Sequence, residues 1–148
     1  MSLEDNKSIV EKFYSKLCTV DAQEAFDLMA EDADWTMVAK SSIAPLGAVT
    51  KQTFIKEMLS TGGSLHPDRN PASVFPDGLD LTIKSLTAEG DHVVLEGESY
   101  AIAANGNIYN NTYSYHFDIR DGKIQSVREY SDTHHGLTSV GDLMHLKH

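Results

Sequence analysis

The stretch Tyr109-Asn-Asn-Thr-Tyr-Ser-Tyr-His-Phe-Asp-Ile119 decides how the chain is read. On an extended backbone Tyr109, Asn111, Tyr113, Tyr115, Phe117 and Ile119 point to one face, and Asn110, Thr112, Ser114, His116 and Asp118 to the other. An aromatic face alternating with a polar face predicts a half-buried strand. Asp121-Gly122 follows as a tight hairpin turn, and Lys123 to Asp132 is the return strand. Upstream, His92 to Ala103 reads as a long strand closed by Asn105-Gly106. Ahead of it Leu79, Leu81 and Ile83 alternate, and Glu89-Gly-Asp91 makes the connecting turn. The second half of the chain is therefore expected to be an antiparallel meander.

The first half has a different period. Ile9, Phe13 and Leu17 recur every four residues with Val10 and Tyr14 beside them, one face of an amphipathic helix behind a capping box at Ser2-Leu-Glu-Asp5. A second short helix opens at Asp21, a brief strand runs from Ala33 to Val38, and a loop holds Pro45 and Gly47. A third helix spans about Thr50 to Ser60 and stops at Gly62-Gly63. Helices first and strands last predict an α+β fold, a cone-shaped barrel of a curled antiparallel sheet wrapped around N-terminal helices. Residues 1–133 form one domain in this reading, and 134–148 a short His-containing tail. The segment 64–78 carries three of the four prolines and is expected to cover a pocket mouth.

Composition narrows the function. The 148 residues include 12 Lys or Arg and 22 Asp or Glu, a formal net charge of −10. Phosphate backbones and anionic membrane surfaces repel such a chain, so neither is an expected partner. Cys18, the lone cysteine, falls in a helical apolar pattern and reads as core filling in a reducing compartment. No apolar run reaches the ~20 residues a bilayer needs, so a cytoplasmic location is expected. No Gly-rich phosphate loop or Ser/His/Asp spacing occurs, and no cofactor is implied. His134, His135, His145 and His148 lack a full set of metal-ligand spacings and read as a tail.

Several pieces occur in an order that resembles a known family: Ala33-Asp-Trp35, Gly90-Asp-His-Val-Val-Leu-Glu-Gly97, Asn105-Gly106, Tyr109-Asn-Asn111, Arg120-Asp-Gly-Lys-Ile124 and Arg128-Glu-Tyr-Ser-Asp-Thr133. Together they resemble the nuclear transport factor 2-like (cystatin-like) superfamily, in its SnoaL-like, ketosteroid isomerase-related branch. The resemblance implies a pocket for a small apolar molecule and a homodimer through the sheet face. It also implies an acid on the last strand, the position of Glu129. Where the epoxide hydrolases of this fold carry an Arg and an Asp, this chain has Glu96 and Glu98. Where they hold water with a Tyr and an Asn, it has Trp35 and Met37. The cyclase's catalytic His is replaced by Tyr115. The hydrolase triad is thus not reproduced.

Alternation assigns candidate pocket residues. Glu129 shares a face with Val127 and Ser131, and Glu96 and Glu98 share one with Val94, Tyr100 and Ile102. Glu129, Glu96, Glu98 and Tyr115 are the candidate catalytic groups, and Tyr14, Trp35, Met37, Tyr100, Tyr113, Phe117 and Val127 the candidate ligand wall. A carboxyl in such surroundings has its pKa raised and can shuttle protons, as the Asp base of ketosteroid isomerase does with Tyr and neutral Asp partners. The expected activity is cofactor-free acid–base chemistry of isomerase, cyclase, dehydratase or hydrolase type. A ligand-binding module without chemistry and a protein-interaction domain are the alternatives. Arg128, Tyr130 and Asp132, with Ser114 and His116, form the stripe on which two copies are expected to pair.

Overall fold

Ser2 starts the first helix: its hydroxyl accepts from the Asp5 backbone N–H at 3.1 Å, and the Asp5 carboxylate accepts from the Ser2 N–H at 3.1 Å. In the computed structural model, which describes residues 2–39 and 47–144, this helix α1 runs Leu3–Leu17 and buries Val10, Phe13, Tyr14 and Leu17. Helix α2 (Ala22–Phe26) turns the chain into strand β1 (Met29–Met37), which begins four residues before the expected Ala33. The loop expected around Pro45, and the pair His145 and His148, lie outside the described residues. Strand β2 (Val49–Thr50) leads into α3 (Lys51–Thr61), where the Thr50 hydroxyl accepts from the Thr53 N–H at 3.2 Å. The buried Lys51 ammonium ties α3 to β1 by donating to the Met29 carbonyl at 3.0 Å and the Glu31 carboxylate at 3.1 Å.

The meander follows as β3 (Asp80–Glu89), β4 (His92–Ile102), β5 (Ile108–Tyr109), β6 (Thr112–Arg120) and β7 (Lys123–Ser131). One sheet takes the order β2-β1-β7-β6-β4-β3, with β5 added beside β4. The sheet departs from the expected all-antiparallel barrel in two ways. Strand β1 runs parallel to β7, and the sheet stays curled but unclosed, with β2 and β3 at its edges. Residues 38–122 separate β1 from β7, long enough for the crossover that a parallel pair needs, and alternation within a strand says nothing of its direction.

The deciding strand is broken at Asn110-Asn111. The buried Asn111 side chain accepts from the Thr112 N–H at 2.8 Å and the Asp132 N–H at 3.1 Å, and donates to the Asp132 carbonyl at 3.1 Å. It clamps the start of β6 to the end of β7. The residues read as a tail also differ from expectation. Thr133–Val140 is a helix, α4, capped by the Asp132 carboxylate on the His135 N–H at 3.0 Å. Two turns with few apolar positions leave little periodicity to read.

Candidate active site

The inner face of the sheet carries an aromatic wall. Trp35 of β1 stacks on Phe54 of α3 with ring centroids 4.0 Å apart and 12° between planes. Tyr113 and Tyr115 of β6 stack at 5.2 Å, and Trp35 meets Tyr115 edge-on at 6.0 Å. Between these rings lies a cavity of about 180 Å³. Its walls come from β1 (Trp35, Met37), β6 and β7 (Tyr113, Tyr115, Glu129, Ser131), α3 (Phe54, Glu57, Met58) and the end of α1 (Leu17, Cys18). Gly136, Val140 and Met144 close one end. Of the proline-rich segment 64–78 Phe75 lines the cavity, and α4 and the residues after it contribute as well.

Of the three carboxyl residues that line this cavity, Glu57 and Asp132 are exposed to solvent and Glu129 is not. It sits on β7 opposite Tyr115, and on β1 its neighbour is Met37. Its carboxylate accepts from the Trp35 indole N–H at 3.0 Å, and that single neutral donor is its one side-chain hydrogen bond among the described residues. Burial pushes its pKa up to about 7, against the opposing pull of the Trp35 bond. The residue keeps some accessible surface because it borders the cavity instead of being packed solid.

The phenols beside it are held neutral. Burial raises the pKa values of Tyr109, Tyr113 and Tyr115 above the usual phenol range. Tyr113 Oη is bonded to Tyr109 Oη at 3.0 Å and to Ser99 Oγ at 2.9 Å, and Asn111 Nδ2 donates to Tyr109 Oη at 3.2 Å. This row of hydroxyls runs along the cavity wall toward α4. Phenols in that state donate or accept hydrogen bonds and do not act as bases. Cys18 also borders the cavity, but burial pushes its thiol well above its ordinary range, so it serves as an apolar wall.

The expected site residues divide cleanly. Glu129, Tyr115, Trp35, Met37 and Tyr113 come together around the cavity. Glu96 and Glu98 do not: both are exposed on the outer face of β4, as is Tyr100, which is 49% exposed. The inner residues of β4 are Val93, Leu95, Gly97, Ser99 and Ala101. Phe117 and Val127 share the inner face but are packed solid at 0% exposure, beneath the cavity rather than along it. Tyr14 lies behind the wall, its ring edge-on to Tyr115 at 5.3 Å. It borders a separate recess instead. Asn111, Tyr109, Phe54, Phe75, Leu79 and Val140 line the cavity without having been singled out. The aromatic face of 109–119 was the available signal for Tyr109 and Asn111. Nothing local marks the others, which come from three separate elements.

Among the described residues no group of three or more His, Cys, Asp or Glu is placed to hold a metal, and no helix is long and apolar enough to cross a membrane.

No protein-family model matches the chain, and no curated protein sequence matches it either. Solved structures do. A SnoaL-like protein of the polyketide cyclase type from Jannaschia sp. CCS1 superposes with a TM-score of 0.72 at 15% identity, over 93% of this chain and 92% of that one. An NTF2-like protein from Cytophaga hutchinsonii ATCC 33406 gives 0.60 at 17% identity, over 88% and 98%. An LEH-like epoxide hydrolase from M. tuberculosis gives 0.64 at 16% identity, over 96% and 93%. The fold is the NTF2-like fold seen in SnoaL-like proteins.

Proposed function

We propose that this NTF2-like chain binds a small, mostly apolar molecule in the aromatic cavity and moves a proton on it with the Glu129 carboxyl. One observation carries the reading. Glu129 is a half-buried carboxyl with one neutral hydrogen-bond donor that borders the cavity, and desolvation pushes its pKa up to about 7. A group at that value is present in both protonation states near neutral pH, which suits it to accept a proton from one atom and return it to another. The stacked rings of Trp35, Phe54, Tyr113 and Tyr115 offer faces to a flat or cyclic body. An engineered apolar cavity of about 150 Å³ holds benzene, so this one accepts one ring. The substrate class is thus a cyclic molecule bearing a carbonyl or hydroxyl, and the reaction type a cofactor-free isomerisation, cyclisation, dehydration or hydrolysis. The likeness in fold to a SnoaL-like polyketide cyclase and an LEH-like epoxide hydrolase supports a small-molecule pocket without fixing which reaction it is.

Binding without chemistry is the second reading, and it too has an observation behind it. The Tyr109 and Tyr113 hydroxyls already bond one another and Ser99, so two of the cavity's phenols are engaged before any ligand enters. Titration of the Glu129 side-chain carboxyl carbon by NMR tests the shared premise, with a midpoint near 7 expected. A midpoint in the ordinary glutamate range removes Glu129 as the proton carrier. With a turnover assay on cyclic enones and hydroxy-ketones, Glu129→Gln separates the two readings. An enzyme loses about 10²–10⁴-fold in rate with little change in affinity, whereas a binding protein shows no turnover to lose.

A further inference from the structure

We propose that the Glu129 cavity has a second arm, so that its ligand is elongated: a ring against Glu129, then an apolar chain that passes Cys18, Leu79 and Leu81 and leaves between the end of α1 and the start of β3, with a hydrogen-bonding atom placed at the Tyr14 hydroxyl. This deepens the reading of the Glu129 site and rests on it.

A recess of about 370 Å³ lies between residues 14–20 and residues 79–81. Cys18, Leu79 and Leu81 border both this recess and the Glu129 cavity, so small or flexible apolar side chains stand between the two spaces. Size favours joining them. Pockets for small organic ligands are typically about 300–1,000 Å³. The inner cavity that holds Glu129 falls below that range by itself, and only joined to the recess, which is about 370 Å³ alone, does the Glu129 site reach it.

The partition also hides an unspent polar group. Tyr14 is 1% exposed, yet its hydroxyl has no hydrogen-bond partner among the described residues. The Tyr115 phenol is close enough to influence it but lies outside hydrogen-bonding geometry. A buried hydroxyl left unpaired costs about 1–3 kcal/mol, and a phenylalanine would fill the same space without that cost. The other hydroxyls of the recess are engaged. Ser15 donates to the Lys12 carbonyl at 3.0 Å, and Thr19 donates to the Lys16 carbonyl at 2.8 Å while accepting from the Asp21 N–H at 3.1 Å. Tyr14 Oη is thus the one hydroxyl there still able to bond an oxygen passing through. Strand β4 makes room for it with glycine: a Cβ on Gly97 would stand 2.6 Å from Tyr14 Oη. At the outer end Val20, 65% exposed, gives the chain an apolar lip.

Alkyl phenyl ketones of increasing chain length, from acetophenone upward, test this, with binding read from the fluorescence of Trp35, the lone tryptophan, and by calorimetry. Affinity is expected to keep rising with chain length, about fourfold per CH₂ while the chain stays buried, well past the length the inner cavity holds. Ser15→Phe fills the recess from the surface of α1. It is expected to leave acetophenone binding unchanged and to weaken the long ketones at least tenfold. Tyr14→Phe is expected to weaken phenylalkanones whose carbonyl has been moved from the ring to mid-chain about fivefold, but not alkylbenzenes of equal length. Those alkylbenzenes also report whether the variant has kept its fold. A series that binds acetophenone but weakens as the chain grows overturns the second arm and leaves the Glu129 site standing. So do long ketones indifferent to Ser15→Phe. Failure of every member, acetophenone included, overturns both.

Discussion

The two faces of the same strands hold two carboxylates treated in opposite ways. On the inner face Glu129 has one neutral donor, Trp35, and burial lifts it to about 7. On the outer face Asp118 accepts from Ser126 at 2.7 Å and Arg128 at 3.0 Å and pairs with His92 at 3.1 Å. Its partial burial works to raise its pKa, but those three partners outweigh it and hold the group below its ordinary value. The network continues from His92 Nε2 to His116 Nδ1 at 3.2 Å and on from His116 Nε2 to Ser114 at 3.3 Å. Partial burial, with His92 and Arg128 nearby, holds His116 below the usual histidine value. A carboxylate saturated with donors is a structural clasp. One left short of them, and buried, costs stability and is available for chemistry.

The two carboxylates differ most in how they respond to pH. Glu129 has a folded pKa above its unfolded one, so the folded protein holds the proton more tightly between about 4.5 and 7. Its contribution to stability is fully present below that window and is lost as pH rises through it, an effect of about 3 kcal/mol. Urea unfolding at pH 5 and pH 8 should show the loss, and Glu129→Gln should flatten it, leaving the variant more stable than the parent at pH 8. Asp118 and His116 have depressed folded values, so the outer clasp works in the other direction and weakens as the solution is acidified. A parent protein whose stability rises from pH 5 to pH 8 would put the outer clasp, not Glu129, in control.

The next effect is steric. Gly97→Ala places a methyl against Tyr14 Oη and Leu95 on the inner face and is expected to cost about 1–3 kcal/mol in chemical denaturation. Substitution of its outer-face neighbour, Glu96→Gln, should stay within about 0.5 kcal/mol and leave ligand binding intact. A binding loss in Glu96→Gln or Glu98→Gln would return those residues to the site. Asp118→Asn, which keeps the shape but weakens the charge-assisted bonds to Arg128 and His92, is expected to cost about 1 kcal/mol near neutral pH, discounted for its exposure. The homodimer expected on the stripe of Arg128, Tyr130 and Asp132, with Ser114 and His116, is tested by mass. Light scattering at micromolar concentration should give twice 16.3 kDa, and Tyr130→Asp should shift it toward the monomer. A monomer throughout removes that contact.

The sequence by itself determined the order of elements, the capping box, the hairpin turns at Asp121-Gly122 and Glu89-Gly-Asp91, and the inward face of residues 109–119. Each depends on local backbone preference or on alternation within one strand. It also placed Glu129 on the inner face, because Val127 two residues away fixes the phase. For β4 the same rule offered two faces, and the larger residues led to the wrong one. Val94, Glu96, Glu98 and Tyr100 look like a pocket wall, whereas the true inner face carries Gly97, Ser99 and Ala101. Those are small because Tyr14 from α1 occupies the space over Gly97 and the Tyr113 hydroxyl reaches Ser99. That exchange of volume between elements far apart in the chain leaves no trace in a single strand's pattern. The parallel pairing of β1 with β7, the place of α4 beside the cavity and the cavity itself were likewise decided only in three dimensions. A cavity is the volume that packing leaves unfilled, and no residue encodes it alone.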